Sequence, residues 1–233
     1  MCVRYNTIDE RWERFIRRKG IWIEFKLPPA ESQSPLWPGA TGMFARASEG
    51  GRIEMVQGEW GLQPPWPKIP AAWGKRSAYN ARIEGSEDRG EGIENMRAYG
   101  KAFKARRCVV PMVSYFENAD VEGTHRYVEV HPTEEEAFLI AGLWEPGNFH
   151  NNDTPTYTLI TTASNGELAE VHSRRLARLE DDMLDDWFNP NSPIDLLKAL
   201  VEPRDHEPIR LVDVDRPTRP NKRNVKTETG TLF

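Results

Sequence analysis

Apolar positions along the chain follow two different periods. In IDERWERFIRR (8–18), Ile8, Trp12, Phe15 and Ile16 recur at helical spacing with charge opposite, which predicts an amphipathic helix. Short β-prone runs bounded by turn residues make up much of the rest: RIEMVQGEWGL (52–62), CVVPMVSYF (108–116), HRYVEV (125–130), AFLIAGLW (137–144) and TYTLITT (156–162). Their lengths predict a mostly antiparallel sheet or barrel. GELAEVH (166–172), LEDDMLDDWF (179–188) and PIDLLKAL (193–200) predict short helices, the first with Ser164 and Asn165 as candidate caps, and 96–105 predicts another. The Pro-, Ser- and Gly-rich stretch 27–42 and the Gly- and acid-rich stretch 85–95 read as loops, and QPPWPKIP (63–70) forces an extended, turn-rich path. No internal repeat is visible. The expected class is α+β: one domain over 1–210 with a mostly antiparallel, β-rich core and peripheral helices, then a polar tail, flexible or loosely docked, over 211–233.

Composition narrows this picture. A chain of 233 residues with eight Trp and nine Phe buries a core without disulfide or metal staples. Its two cysteines, Cys2 and Cys108, are too few for a secreted framework, so both thiols are expected free in a reducing, cytoplasmic compartment. No apolar run reaches the length of a membrane span, and MCVRYNTIDERWERF lacks the apolar centre of a signal peptide. The net charge of −5 does not announce a nucleic-acid binder. Basic residues nevertheless cluster at Arg11, Arg14, Arg17, Arg18 and Lys19, at Lys101, Lys104, Arg106 and Arg107, and at Arg174, Arg175 and Arg178. Each cluster taken singly reads as a solvated face; only a shared surface would make them a binding site. His and Cys do not fall at zinc-site spacings and there is no phosphate-binding Gly loop, so neither metal nor cofactor is expected.

Position 2 carries a specific chemical option. Removal of Met1, which a small second residue permits, would leave Cys2 with a free α-amine and a thiol on adjacent carbons. An α-amine with a pKa near ~8 is substantially neutral at physiological pH and attacks aldehydes. The thiol then closes onto the imine carbon as a five-membered thiazolidine, with the proximity advantage of an intramolecular step. Taken alone, Cys2 reads more readily as an incidental small residue. Glu117 could equally pair with Arg106 or Arg107, His172 could end a helix, and Asn80 could serve a turn. Trp60 reads first as core, and Cys108 as a buried, inert thiol.

The ordered set MCVRYN, EWGLQPPW, YNARIE, RRCVVPMVSYFE, AGLWE, YTLITTASN and HSRR resembles the SRAP family (SOS response-associated peptidase), from Cys2 to about Leu179. The resemblance implies the family's fold and its activity, the covalent trapping of abasic sites in single-stranded DNA within the DNA-damage response. It also implies residue roles. Cys2 matches the cross-linking nucleophile, Glu117 the active-site glutamate and His172 the active-site histidine. Asn80 and Arg82 match positions that orient the abasic sugar and hold phosphate. Arg4 and Arg174 match backbone contacts, and Trp60 and Trp66 fall in the WGLxPxW signature. Glu and His suit the proton transfers of imine formation, Asn is a neutral donor and acceptor, and Arg and Trp suit phosphates and unpaired bases. The chain departs from the pattern at Val3, where the family has Gly, and around Glu117 and His172, where Ser114, Asn118, Arg175 and Leu176 replace the usual neighbours.

Cross-link formation and reversal by a monomer in the cytoplasm, at the nucleoid when acting on DNA, is the leading expectation. A thiol (auto)peptidase using Cys2 with His172, suggested by the family's name, and a non-catalytic relative that only binds single-stranded DNA are the alternatives. The intact mass of the purified protein is expected to lack Met1. A chain that retains Met1 excludes every version of the amine chemistry.

Overall fold

Among the described residues, eleven strands join into one sheet that curls onto itself. The computed structural model describes residues 2, 4–28, 35–64, 66, 78–121, 124–147, 153–204, 208–216 and 218. The strands are β1 (Tyr5–Thr7), β2 (Thr41–Ala47), β3 (Ile53–Trp60), β4 (Asn80–Arg82), β5 (Arg107–Val121), β6 (Thr124–Pro132), β7 (Phe138–Glu145), β8 (Thr156–Ala163), β9 (Arg174–Leu176), β10 (Arg178–Leu179) and β11 (Ile209–Asp213). Pairings β5–β7, β7–β8, β8–β3, β3–β2 and β2–β5 close a ring, and β6 and β11 extend from β5 outside it. All are antiparallel except β3–β8 and β4–β8. The helices are short and peripheral: α1 (Glu13–Arg18), α2 (Gly100–Ala105), α3 (Gly166–Val171), α4 (Leu184–Phe188) and α5 (Ile194–Leu200). This is the α+β domain, mostly antiparallel, that the runs of apolar residues predict.

The strands β5 and β7 are apolar without alternation because both of their faces are covered. Val109, Leu139, Ala141 and Leu143 face one core with Phe15, Ile16, Phe103 and Trp187 from the helices. Cys108, Val110, Met112, Phe138 and Ile140 face a second core with Cys2, Tyr5, Phe44, Trp60 and Tyr157. Gly42 lets Tyr5 and Tyr157 meet there, since a Cβ at that position would run into both hydroxyls.

Local differences from the sequence reading have physical causes. The first helix is split, with a 3-10 turn over Glu10–Trp12 capped by Asp9, whose carboxylate accepts the Arg11 N–H at 2.9 Å. The helix expected from residue 96 starts at Gly100. Asn165 does occupy the cap position of α3, but its side chain bonds the Arg204 carbonyl and Arg175 Nη1 instead of the helix. β11 pairs with β6 and so carries the ordered sheet across the 210/211 boundary, while residues 219–233 lie outside the described residues.

The basic clusters do not form one open surface. Arg17 pairs with Glu13 and Arg18 with Glu136, ordinary surface pairs of small individual value, while Arg11 holds the buried Asp9 and the largely buried Lys19 pairs with Asp181. Arg175 and Arg178 are buried. Arg107 is buried too and serves as a fastener. Its Nε and Nη2 donate to the Trp187 and Asn189 carbonyls at 2.6 and 2.7 Å, and Nη1 donates to Phe103 and Lys104 carbonyls at 2.7 Å. Those bonds satisfy the open C-terminal carbonyls of α2 and tie α4 to β5. Arg107→Met is expected to cost about 3 kcal/mol by leaving buried carbonyls unpaired. Urea denaturation should show a lower midpoint with an unchanged slope.

Candidate active site around Cys2

The site is built by an irregular pairing. β1 runs antiparallel to β5 with Tyr5 opposite Tyr115 and Asn6 opposite Ser114, but Thr7 faces Met112, so Val113 is an extra residue on β5. Strict alternation from Cys108, Val110 and Met112 would put Phe116 inward and Glu117 outward. The bulge reverses the phase, and beyond it Tyr115 and Ala119 face the second core. Glu117 shares their face and is 2% exposed.

The same pairing carries the chain start inward. The Arg4 carbonyl accepts the Phe116 N–H at 3.0 Å and the Cys2 thiol at 3.2 Å. Cys2 is fully buried although it is the second residue. Its backbone is gripped on both sides: the N–H donates to the Glu117 carboxylate, and the carbonyl accepts Asn80 Nδ2 at 2.7 Å. Burial, reinforced by the Glu117 charge, raises the thiol pKa far above its usual range, so the sulfur stays protonated. Burial also lifts the Glu117 carboxyl from its ordinary 4.5 to about 7, against the pull first of the N-terminal ammonium and then of the Cys2 and Asn118 N–H groups. Neither Arg106 nor Arg107 holds Glu117: the first pairs with Glu145 and the second with carbonyls.

Asn80 and Arg82 stand on β4, which runs parallel to β8 with Asn80 opposite Leu159 and Arg82 opposite Thr161. Trp60 is buried as expected for a core residue, and its Nε1 donates to the Tyr79 carbonyl at 2.8 Å, fixing the backbone beside Asn80. This signature tryptophan therefore positions Asn80. Asn80 and Arg82 also line a cleft of about 280 Å³ with Ser86, Met96 and Tyr99. Arg82 is exposed.

His172 and Arg174 arrive beside the same end of β8, where β9 pairs Arg174 with Ala163. The Arg174 N–H donates to His172 Nδ1 at 2.9 Å, so the neutral ring carries its proton on Nε2. Burial lowers the His172 pKa and keeps the ring neutral. Arg174 itself is held by Glu84 at 2.8 Å and by the Thr161 carbonyl at 2.6 Å. The sequence reading missed Glu84, in the turn that follows β4, and Thr161 on β8.

Of the remaining candidates, Arg4 stacks over Phe116 at 3.5 Å from the ring centroid, with Trp37 at 5.8 Å. Trp66 lies in a neighbouring cleft of about 440 Å³ that shares only Met96 with the first. Cys108 is buried. Val3 lies outside the described residues. Among the described residues, no group of three His, Cys, Asp or Glu side chains could hold a metal ion, and no helix is long and apolar enough to cross a membrane.

Residues 1–218 match the family described as SOS response associated peptidase (SRAP). The chain is 27% identical over 180 residues to the abasic site processing protein YoqW of Bacillus subtilis, covering 76% of each. It is 27% identical over 186 residues to the abasic site processing protein YoaM of the same organism, covering 78% of each. A crystal structure of a Bacteroides thetaiotaomicron protein superposes with a TM-score of 0.75 at 19% identity, over 92% of both chains. One from Bordetella bronchiseptica gives 0.72 at 20% identity, over 92% of this chain and 100% of that one. At such identities the two structures speak for the fold.

The shifted Glu117 carboxyl makes stability pH-dependent. Between 4.5 and about 7 the folded protein keeps a proton that the unfolded chain has released, so stability falls as pH rises through this window. Below it both states are protonated; above it both are ionised and the burial penalty is felt in full. Relative to Glu117→Gln, wild type is expected to lose up to about 3 kcal/mol across the window, read from urea midpoints. A difference that does not change with pH would show an ordinary carboxyl.

Proposed function

The chain belongs to the SOS response-associated peptidase family, and on that premise we propose that it traps abasic sites in single-stranded DNA through Cys2 after removal of Met1. The carrying observation is the clamp on Cys2. The nitrogen that becomes the α-amine already points at Glu117, whose carboxyl titrates near 7, while Asn80 holds the adjacent carbonyl. The names of YoqW and YoaM, abasic site processing proteins, agree with the substrate.

The chemistry follows from these groups. The neutral amine of Cys2 adds to the aldehyde carbon of the ring-opened sugar, forming a carbinolamine. Glu117 delivers a proton to the departing hydroxyl, water leaves, and an imine forms. The thiol then adds to the imine carbon while its proton passes to nitrogen, closing a thiazolidine. One water is released overall, and the same groups serve the reversal. A protonated thiol suits this sequence, since sulfur acts last and within the same residue. His172, with Nε2–H as its donor, assists ring opening of the sugar. Arg82, Arg4 and Trp66 hold the strand, and Arg174 does so once a phosphate takes the place of Glu84.

The buried, protonated thiol disfavours the peptidase alternative, because a thiol protease needs a thiolate. In this reading the protein works as a monomer in the cytoplasm, at the nucleoid.

Met1-free protein mixed with an abasic single-stranded oligonucleotide is expected to give a band that survives denaturing electrophoresis without reductant. Cys2→Ala keeps the amine and should give a band only when borohydride traps the imine. Glu117→Gln should slow cross-linking about 100-fold. A reductant-independent band from Cys2→Ala would falsify the thiazolidine.

A further inference from the structure

Ser114 departs from the family pattern beside Glu117, and the chemistry at Cys2 does not use it. It is fully buried on β5, and its hydroxyl donates to Glu129 Oε1 on β6 at 2.5 Å. Asn6 of β1 completes the group, its Nδ2 donating to Ser114 Oγ and to Glu129 Oε1, both at 2.8 Å. Every donor is matched: the two amide hydrogens go to different oxygens, and the hydroxyl hydrogen goes to the carboxylate. One carboxylate oxygen therefore ties three strands together, and its charge strengthens the bonds that it accepts. His131 Nε2 stands 3.4 Å from the same oxygen.

Where this group sits gives it a consequence. Asn6 and Ser114 are the last regular pair before the register breaks, since Thr7 already faces Met112. A slip of β1 by one residue would carry the chain start about 3.3 Å along β5 and turn its side chains to the opposite face. Asn6 would then point away from Ser114 and Glu129, so the group forms in one register alone. In that register the Arg4 carbonyl takes the Phe116 N–H and the Cys2 carbonyl takes Asn80 Nδ2. The Tyr5–Tyr157 hydroxyl contact on the inner face ties β1 to β8, whereas Asn6 ties it to β5 and β6.

We propose that Glu129 is a positioning residue: through Asn6 and Ser114 it locks the register of β1 on β5 and so holds the Cys2 nitrogen against Glu117. The lock rests on the reading that Cys2 traps abasic sites, and it adds a residue on β6 that acts through β1.

Three measurements on Met1-free protein test it: single-turnover cross-linking at saturating abasic oligonucleotide, fluorescence anisotropy with the intact strand, and N-ethylmaleimide labelling of Cys2 read by peptide mass. Glu129→Ala is expected to cross-link about 30-fold more slowly, with an affinity within about twofold of wild type, because a misplaced nucleophile costs rate and not binding. Its Cys2 should label about tenfold faster, since a slipped β1 gives up the burial of the thiol. Glu129→Gln keeps an acceptor oxygen for both donors and should return rate and labelling to within about fivefold of wild type. Asn6→Ala removes the β1 end of the same group, and the double variant with Glu129→Ala should be no slower than the slower single one. If circular dichroism shows Glu129→Ala unfolded, Asn6→Ala carries the test on the same readouts. Unaltered labelling or an unaltered cross-linking rate in a folded alanine variant overturns the lock. So does a loss carried by affinity, a glutamine variant as slow as the alanine variant, or effects that multiply in the double variant. Labelling reads β1 without DNA and so separates the two readings. Faster labelling of the variants when wild type never cross-links leaves the lock standing without the proposed chemistry, and cross-linking with unaltered labelling leaves the chemistry standing without the lock.

Discussion

One extra residue in β5 governs the site. The bulge at Val113 reverses which face of the strand is buried, and Glu117 turns inward because of it. The cost is a locally interrupted ladder; the outcome is a carboxyl placed against the nitrogen of Cys2. β1 is only three residues long, yet its pairing also brings Arg4 to Phe116 and seats the thiol on the Arg4 carbonyl. Without that pairing the second residue of a chain would fray into solvent.

Burial then sets the chemistry. Desolvation acts on Cys2 and Glu117 in the same direction, favouring the protonated form of each, and on His172 in favour of its neutral ring. The result is a protonated thiol, a carboxyl that keeps its proton to about pH 7 and a neutral imidazole. A thiolate–imidazolium pair is the opposite arrangement, and this environment opposes it. Exposed charge nearby sits on Arg82, Lys101 and Lys104, while Arg174 is restrained by Glu84 and Arg4 is buried over Phe116.

The frame around β8 joins these parts. β4 lies along it and places Asn80 and Arg82, while β9 pairs farther along and places Arg174 behind His172. Trp60 secures the Tyr79 carbonyl, so a core residue fixes the position of a site residue without itself meeting solvent. The two clefts meet at Met96.

Much of this was legible in the chain. Runs such as AFLIAGLW and TYTLITT marked their strands because β-branched and aromatic residues bounded by turns have few other solutions. The order of Cys2, Asn80, Glu117 and His172 pointed to one family because such a set in such an order is specific. Local pattern could not reveal the bulge, since alternation along CVVPMVSYFE assigns Glu117 to the wrong face. It could not distinguish Arg107, spent on helix carbonyls, from Lys101 and Lys104, which edge a cleft, because the three have similar composition and differ only in what packs over them. The sequence by itself determined the main elements and the family, which depend on residue type, short-range spacing and the order of motifs. The tertiary structure alone decided which groups face one another and which protons they hold, because facing and desolvation arise from contacts between segments far apart in the chain.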